Sequence, residues 1–145
     1  MRRALLLIPL VVVACSKAQQ SQENTGSMGA MALTDADVAG TWTGTSMPIG
    51  SDSVITHWTQ VCANGACTGT SQEMADTIRS TYTLSGDSAV GKSAPFADPN
   101  MGGANVIDMW VARPTGGNVV GTGAFVLADN PDSVLARYHF EGSRM

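Results

Sequence analysis

Positive charge is scarce in this chain. Its 145 residues include eight Lys and Arg against twelve Asp and Glu, and the formal net charge at pH 7 is -4. Beyond Arg2 and Arg3 the basic residues are scattered singly. Because the binding of nucleic acid phosphates requires a basic patch, the composition argues against nucleic acid as a partner.

A hydrophobic run long enough to span a membrane is also missing. A transmembrane helix needs about 20 apolar residues, and the apolar run at residues 4–13 is about half that length. It follows Arg2 and Arg3, and a basic start before a short apolar run is typical of a secretory signal. We therefore expect residues 1–14 to be a signal peptide and the protein to be exported.

The end of that run, Val12-Val13-Ala14-Cys15, resembles the lipobox of bacterial lipoproteins. The resemblance implies cleavage before Cys15 and diacylglycerol on its sulfur, so that acyl chains anchor the protein in the membrane of the cell envelope. Ser16 after the cysteine favours, by the same resemblance, the outer membrane of a Gram-negative bacterium. Residues 15–32 are rich in polar residues and predict a lipidated flexible tether, which leaves residues 33–145 as one folded domain.

Cysteine is scarce as well, with three residues in the chain. When Cys15 is assigned to lipid, Cys62 and Cys67 remain, and an even pair in an exported protein predicts a disulfide. Asn64-Gly65 between them is the strongest short signal for a two-residue hairpin. Such a hairpin places the two cysteines opposite each other, within disulfide range.

No segment of the domain shows sustained helical periodicity, and β-rich runs alternate with turns rich in Gly, Pro, Asn and Asp. Eight strands are predicted, at residues 41–47, 54–62, 67–71, 78–84, 89–94, 106–113, 119–127 and 134–141. Residues 72–76 are expected to form a short helix or an irregular connection.

Eight short strands joined by tight connections predict an all-β domain, a small antiparallel up-and-down barrel, because closure removes exposed sheet edges. The opening of the first strand, Gly40-Thr41-Trp42, resembles the Gly-x-Trp segment of the lipocalins and the avidin-like barrels, the calycin-type proteins. The resemblance implies that Trp42 plugs one end of the barrel. It carries over no binding residue.

The alternation of side chains along a strand predicts which residues face the barrel interior. In the last strand the predicted inward-facing residues are Val134, Ala136, Tyr138 and Phe140. A similar sequence that begins at Asp52 predicts that Val54, Thr56 and Trp58 also face inward and that His57 faces outward.

The aromatic residues are few, with three Trp, two Tyr and three Phe. Side chains of this kind often line ligand cavities, but the interior of an eight-stranded barrel is just wide enough for side chains to fill. We expect most of them to fill the barrel, with a ligand cavity as the alternative. The candidate ligand-lining residues are Trp42, Trp58, Tyr82, Trp110, Phe125 and Tyr138.

Asp108 lies inside an apolar run, residues 106–111. If Ile107, Met109 and Val111 face inward, Asp108 is an ordinary solvated residue, which is the interpretation we favour. If Trp110 faces inward instead, Asp108 becomes a buried carboxylate that needs a partner, such as Arg79 or Arg113, and could orient a ligand.

The chain offers little for catalysis. His57 and His139 are its two histidines, and neither lies near a Ser or Cys nucleophile in a recognisable motif. We assign no catalytic residue, no metal ligand and no cofactor, and we do not expect an enzyme.

The sequence therefore predicts an envelope lipoprotein whose barrel binds a small apolar ligand or an envelope partner. The alternative is an interaction protein similar to the small disulfide-bonded lipoproteins that inhibit lysozyme, with the hairpin of Cys62 and Cys67 entering a partner's cleft, or a structural envelope protein.

Overall fold

The computed structural model describes residues 32–145. In chain order the elements are α1 (Asp35–Val38), β1 (Gly40–Pro48), β2 (Thr56–Ala63), β3 (Ala66–Ser71), β4 (Met74–Ser85), β5 (Ser88–Ser93), β6 (Phe96–Asp98), a 3-10 turn (Pro99–Met101), β7 (Ala104–Thr115), β8 (Asn118–Leu127) and β9 (Val134–Arg144). The predicted signal peptide, the predicted lipid site Cys15 and nearly all of the tether lie outside the described residues.

Eight of these strands close into a barrel. Strands β1 to β5 follow one another as antiparallel neighbours, β5 pairs with β7, and β8 and β9 continue the meander until β9 pairs with β1. Each of the eight predicted strands corresponds to one of these. The prediction of a small antiparallel all-β barrel is therefore confirmed, and closure pairs both edges of every barrel strand.

The additional strand, β6, follows β5 along the same edge of β7, and both strands pair with β7. Strand β7 pairs with β5 through residues 109–112 and with β6 through residues 104–106. Pro95 separates β5 from β6, and it has no N–H to contribute to a strand ladder. The sequence did not predict β6, because its three residues lead directly into the turn signal that begins at Asp98.

The β2–β3 hairpin has the predicted form. Asn64 and Gly65 both have positive φ, 51° and 76°, as a type I′ turn requires. Cys62 pairs with Cys67, their Cα atoms are 4.1 Å apart, and their sulfur atoms are bonded. The next connection, at residues 72–76, is not a helix, because it consists of a tight turn and the start of β4.

A short helix that the sequence did not predict, α1, covers one end of the barrel. The carboxylate of Asp35 accepts hydrogen bonds from the backbone N–H groups of Asn64 (3.1 Å) and Gly65 (3.3 Å) and from the hydroxyl of Tyr82. These bonds lower the pKa of Asp35, with the Tyr82 hydroxyl as the main cause. One carboxylate thereby ties α1 to both the disulfide hairpin and β4.

Trp42 lies directly under this helix. Its indole Nε1 donates to the carbonyl of Val38 (2.8 Å), and both side chains are buried. The guanidinium of Arg144 lies 4.7 Å from the centre of the Trp42 ring and donates to the carbonyl of Asp37 (2.6 Å). The end of the last strand thus holds the helix and the tryptophan together, and this end of the barrel is closed.

The predicted inward and outward directions of the side chains are correct within the barrel and wrong for two residues at its rim. The predicted inward residues that line the interior are Thr56, Trp58, Ala136, Tyr138 and Phe140. Val54 and Val134 were predicted to face inward and are instead 45% and 41% exposed. Val54 precedes β2 and Val134 is the first residue of β9, so both lie at the edge of the barrel. His57 is exposed, as predicted.

Glycines on neighbouring strands make room for the interior aromatic rings. A Cβ atom on Gly91 would overlap the indole of Trp110, and one on Gly123 would overlap the ring and hydroxyl of Tyr138. Gly91 pairs directly with Trp110, and Gly123 with Tyr138. The rings therefore lie flat along the wall and leave the centre of the barrel open.

Candidate functional site

The barrel encloses a cavity of about 480 Å³. Val38, Trp42 and Cys62 form its floor at the α1 end, where the side chains of Trp42, Tyr82 and Trp110 belong to a packed core. The expectation that aromatic residues fill the barrel therefore applies to this end. Above the floor, aromatic residues line open space instead.

One wall of the cavity is a continuous row of aromatic rings on four strands. The row consists, in order, of Phe96, Phe125, Tyr138, Phe140 and Trp58. The distances between the centres of successive rings are 6.3, 5.2, 6.1 and 5.9 Å. These separations are typical of aromatic pairs in contact. The row presents a rigid apolar surface to anything inside the barrel.

At the end opposite α1 the cavity is lined by flexible and aliphatic side chains. Ile55, Met74 and Met101 lie there, next to the connections between strands. Methionine side chains adapt to irregular shapes, which suits a cavity that takes up a molecule. Ile49 and Leu135, 57% and 42% exposed, extend the apolar surface outward at this rim.

Asp108 on β7 forms part of the cavity wall. Its Oδ1 accepts a hydrogen bond from the hydroxyl of Tyr138 (2.7 Å), and its backbone N–H donates to Oγ of Ser93 (2.8 Å). Burial raises the pKa of Asp108 to about 7; the Tyr138 hydrogen bond acts in the opposite direction and the negative charge of Asp98 adds to the increase. Burial also raises the pKa of Tyr138 well above its usual value.

The interpretation of Asp108 as a solvated residue is therefore wrong. Trp110 is buried and faces inward, so Asp108, two residues before it on β7, faces inward too. Its partner is neither of the two arginines considered from the sequence. Arg113 instead lies 3.7 Å from Asp87, where both side chains are exposed.

Several other polar groups converge on the cavity. The buried side chain of Asp98 accepts a hydrogen bond from the N–H of Asn100 (2.8 Å) and so caps the 3-10 turn. Gln60 Nε2 donates to Oγ of Ser80 (3.4 Å). The hydroxyl oxygen of Ser71 is buried and has no hydrogen-bond partner among the described residues.

The charges around the cavity are mainly negative. Among the described residues that line it, Asp98 and Asp108 are the acids and Arg137 is the one base. The pKa of Asp108 is not lowered by any basic residue, so no described side chain compensates the charge at the centre of the cavity.

Five of the six candidate ligand-lining residues lie on the cavity: Trp42, Trp58, Trp110, Phe125 and Tyr138. Tyr82 does not. Its hydroxyl is bonded to Asp35, and its ring is 6.4 Å from that of Trp110 in the packed core. Sequence reasoning missed Phe96 and Ser71, which lie beside turns whose form the sequence does not reveal.

The described residues assemble no catalytic or metal group. His57 is exposed, with its Nδ1 atom 3.8 Å from Glu73, and neither His57 nor His139 lines the cavity. Across residues 32–145 no three His, Cys, Asp or Glu side chains are placed to hold a metal ion. In the same part of the chain, no helix has the length and hydrophobicity needed to cross a membrane.

A closed eight-stranded antiparallel barrel with Trp42 at its covered end fits a calycin-like fold. No family model, no curated protein and no solved structure shows a significant match to this chain.

Proposed function

We propose that this protein is a lipid-anchored binding protein of the bacterial cell envelope that holds a small, mainly apolar molecule inside its barrel. The observation that carries the proposal is the cavity of about 480 Å³. Ligand sites in proteins usually have volumes of about 300–1,000 Å³, with apolar walls and a few polar groups that fix orientation.

The aromatic row and the polar centre supply these two components. The row from Phe96 to Trp58 takes an apolar body out of water, and each 100 Å² of apolar ligand surface removed from water contributes roughly 2.5 kcal/mol. Asp108 and Tyr138 supply polar contacts that select among apolar molecules.

The predicted tether joins the domain at the end of the barrel opposite the open rim, which is compatible with a tethered binding protein. The tether enters the domain at the α1 end, where the N–H of Leu33 donates to the carbonyl of Gly86 (2.9 Å). The apolar rim with Ile49 and Leu135 is at the opposite end of the barrel. Attachment to the membrane through Cys15 therefore does not obstruct that rim.

The tip of the disulfide hairpin has few free hydrogen-bonding groups with which to bind a partner. The two N–H groups at its tip, on Asn64 and Gly65, are already bonded to Asp35. We therefore favour the cavity over an inhibitor function of the hairpin.

A dye titration tests the proposal. The mature chain, residues 15–145, is made with Cys15→Ala so that it carries no acyl chains, and is titrated with N-phenylnaphthylamine, an uncharged dye whose fluorescence rises in apolar surroundings. We expect saturable binding of one dye per chain.

Two tryptophan substitutions, one inside the barrel and one outside it, show whether the dye occupies the cavity. Ala136→Trp places an indole inside the barrel, whereas Val120→Trp on β8 places one on the exposed outer surface. Ala136→Trp should weaken dye binding at least about tenfold, and Val120→Trp should not change it. Equal binding by all three proteins, or no saturable binding to the parent chain, would refute the proposal.

Fractionation of cells tests the anchor. The wild-type protein should remain with the membranes and Cys15→Ala should not, because two or more acyl chains on Cys15 give stable anchoring. Equal membrane association of the two proteins would rule out lipid attachment at Cys15.

A further inference from the structure

We propose that the molecule held in the barrel carries a protonated amine, which contacts Asp108 while its apolar part lies along the aromatic row. This inference rests on the proposed binding function and names the chemical class of the ligand.

Asp108 has one carboxylate oxygen without a partner. Oδ1 accepts the hydrogen bond from Tyr138, whereas Oδ2 accepts none from the described residues. Hydrogen bonds and an opposite charge stabilise the charged form of a carboxyl group removed from water, which otherwise retains its proton. Since no described cation lies beside Asp108, a cationic ligand group would stabilise its charged form.

The two acids in the cavity oppose an anionic ligand beside Asp108, and Arg137, the one base among the described lining residues, is exposed. Asp98 is 3% exposed, lines the same cavity and contributes to the negative potential at Asp108. The carboxylate of a fatty acid at this position would meet two acids. An amine at the same position would be attracted by both.

Aromatic faces next to Asp108 add to this preference. Tyr138, which bonds to Asp108, has its ring centre 5.2 Å from that of Phe125 and 6.1 Å from that of Phe140. A cation within about 6 Å of a ring centre is attracted by the negative face of the ring. The carboxylate and the aromatic rings therefore both favour a cationic head group.

Groups on four strands face Asp108 and influence the pH at which it ionises. The polar ones are the hydroxyl of Tyr138 on β9, the hydroxyl of Ser93 on β5 and the carboxylate of Asp98 at the end of β6. The fourth is the ring of Phe125 on β8. Among these four, Tyr138 and Asp98 carry ionisable groups. An amine should bind to the ionised form of Asp108, so its affinity should increase as the pH rises.

Three probes of equal chain length test the inference: decylamine, decanol and decanoate, each used to displace N-phenylnaphthylamine from the mature chain at about pH 8. The amine should bind roughly tenfold or more tightly than the alcohol, and decanoate should bind most weakly. In Asp108→Asn the preference for the amine over the alcohol should disappear. In the control Asp87→Asn, where the acid is exposed on the outside of the barrel, the preference should persist.

The possible failures are distinguishable. If decanol or decanoate displaces the dye as well as the amine does, or if Asp108→Asn retains the preference, the amine inference is wrong and the cavity remains a binding site. If the dye itself does not bind, the proposed function fails. If the amine binds more tightly at about pH 5.5 than at about pH 8, Asp108 does not act as the anionic partner.

Discussion

Tyr138 on β9 donates its hydroxyl hydrogen to Asp108 on β7 at 2.7 Å, although β8 lies between these two strands. At this level β8 presents Gly123, which pairs with Tyr138 on one side. The ring of Tyr138 lies against the bare backbone of β8 and so reaches the carboxylate beyond it. The hydrogen bond between Tyr138 and Asp108 therefore depends on the absence of a side chain at Gly123.

Gly123→Ala should destabilise the protein by about 1–3 kcal/mol, because the new methyl group overlaps Tyr138 and forces it off its position. Gly69→Ala is a matched control in another strand, since a Cβ there meets its nearest neighbour at 3.8 Å, and it should be milder. Urea denaturation measures both. Equal stability of Gly123→Ala and the parent chain would show that Tyr138 does not lie over Gly123.

The pKa of Asp108 gives a prediction for stability. Burial raises this pKa from 3.8 to about 7, so the folded chain retains a proton that the unfolded chain releases. The contribution of Asp108 to the free energy of unfolding should therefore decrease as the pH rises from about 4 to about 7 and stay constant above that.

Asp108→Asn should remove this dependence. The difference in unfolding free energy between the variant and the wild type, measured in urea at a series of pH values, should shift in favour of the variant by a few kcal/mol across that interval. Asp87→Asn is the exposed control and should give a constant difference. A difference for Asp108→Asn that does not change with pH would contradict a raised pKa.

The strands were predictable because their ends carry local signals. The two residues Asn64 and Gly65 determine the turn type and therefore the register of the β2–β3 hairpin. The predicted pairing of Cys62 with Cys67 follows from that register. Helix α1 also has a local signal, since Asp37 accepts hydrogen bonds from the N–H and the hydroxyl of Thr34, but four residues are too few to show helical periodicity. Its position on the barrel depends on Asp35, whose partners are far away in the sequence.

The orientation of Asp108 needed tertiary information. Val106, Trp110 and Ala112 form one apolar face of β7, but Ile107, Met109 and Val111 form another, and alternation alone does not distinguish them. The indole of Trp110 fits inside because Gly91 on the paired strand has no side chain. That pairing brings together residues 19 apart, and it is established only when the barrel closes.

The disulfide should contribute about 2 kcal/mol to stability, since it closes a short loop in the unfolded chain. Reduction should lower the urea midpoint accordingly, and Cys62→Ser/Cys67→Ser should be insensitive to the reductant. Two free thiols in the mass spectrum of the untreated exported protein would contradict the bond.

Asp35 should hold α1 on the hairpin. In Asp35→Ala the amide hydrogens of Asn64 and Gly65 should exchange with solvent faster than in the wild type, because both lose their acceptor. Asp52→Ala, at an exposed position in the β1–β2 connection, is the control. Unchanged exchange at Asn64 and Gly65 would show that Asp35 does not protect them.

The central claim is that a small apolar molecule occupies the barrel interior, and isotope-filtered NOE spectroscopy of the complex with N-phenylnaphthylamine tests it most directly. The account predicts contacts from the dye to the side chains of Phe125, Tyr138 and Ile78, which line the cavity, and none to the exposed Val61 and Val120. Contacts to Val61 or Val120 without contacts to the cavity residues would contradict the account.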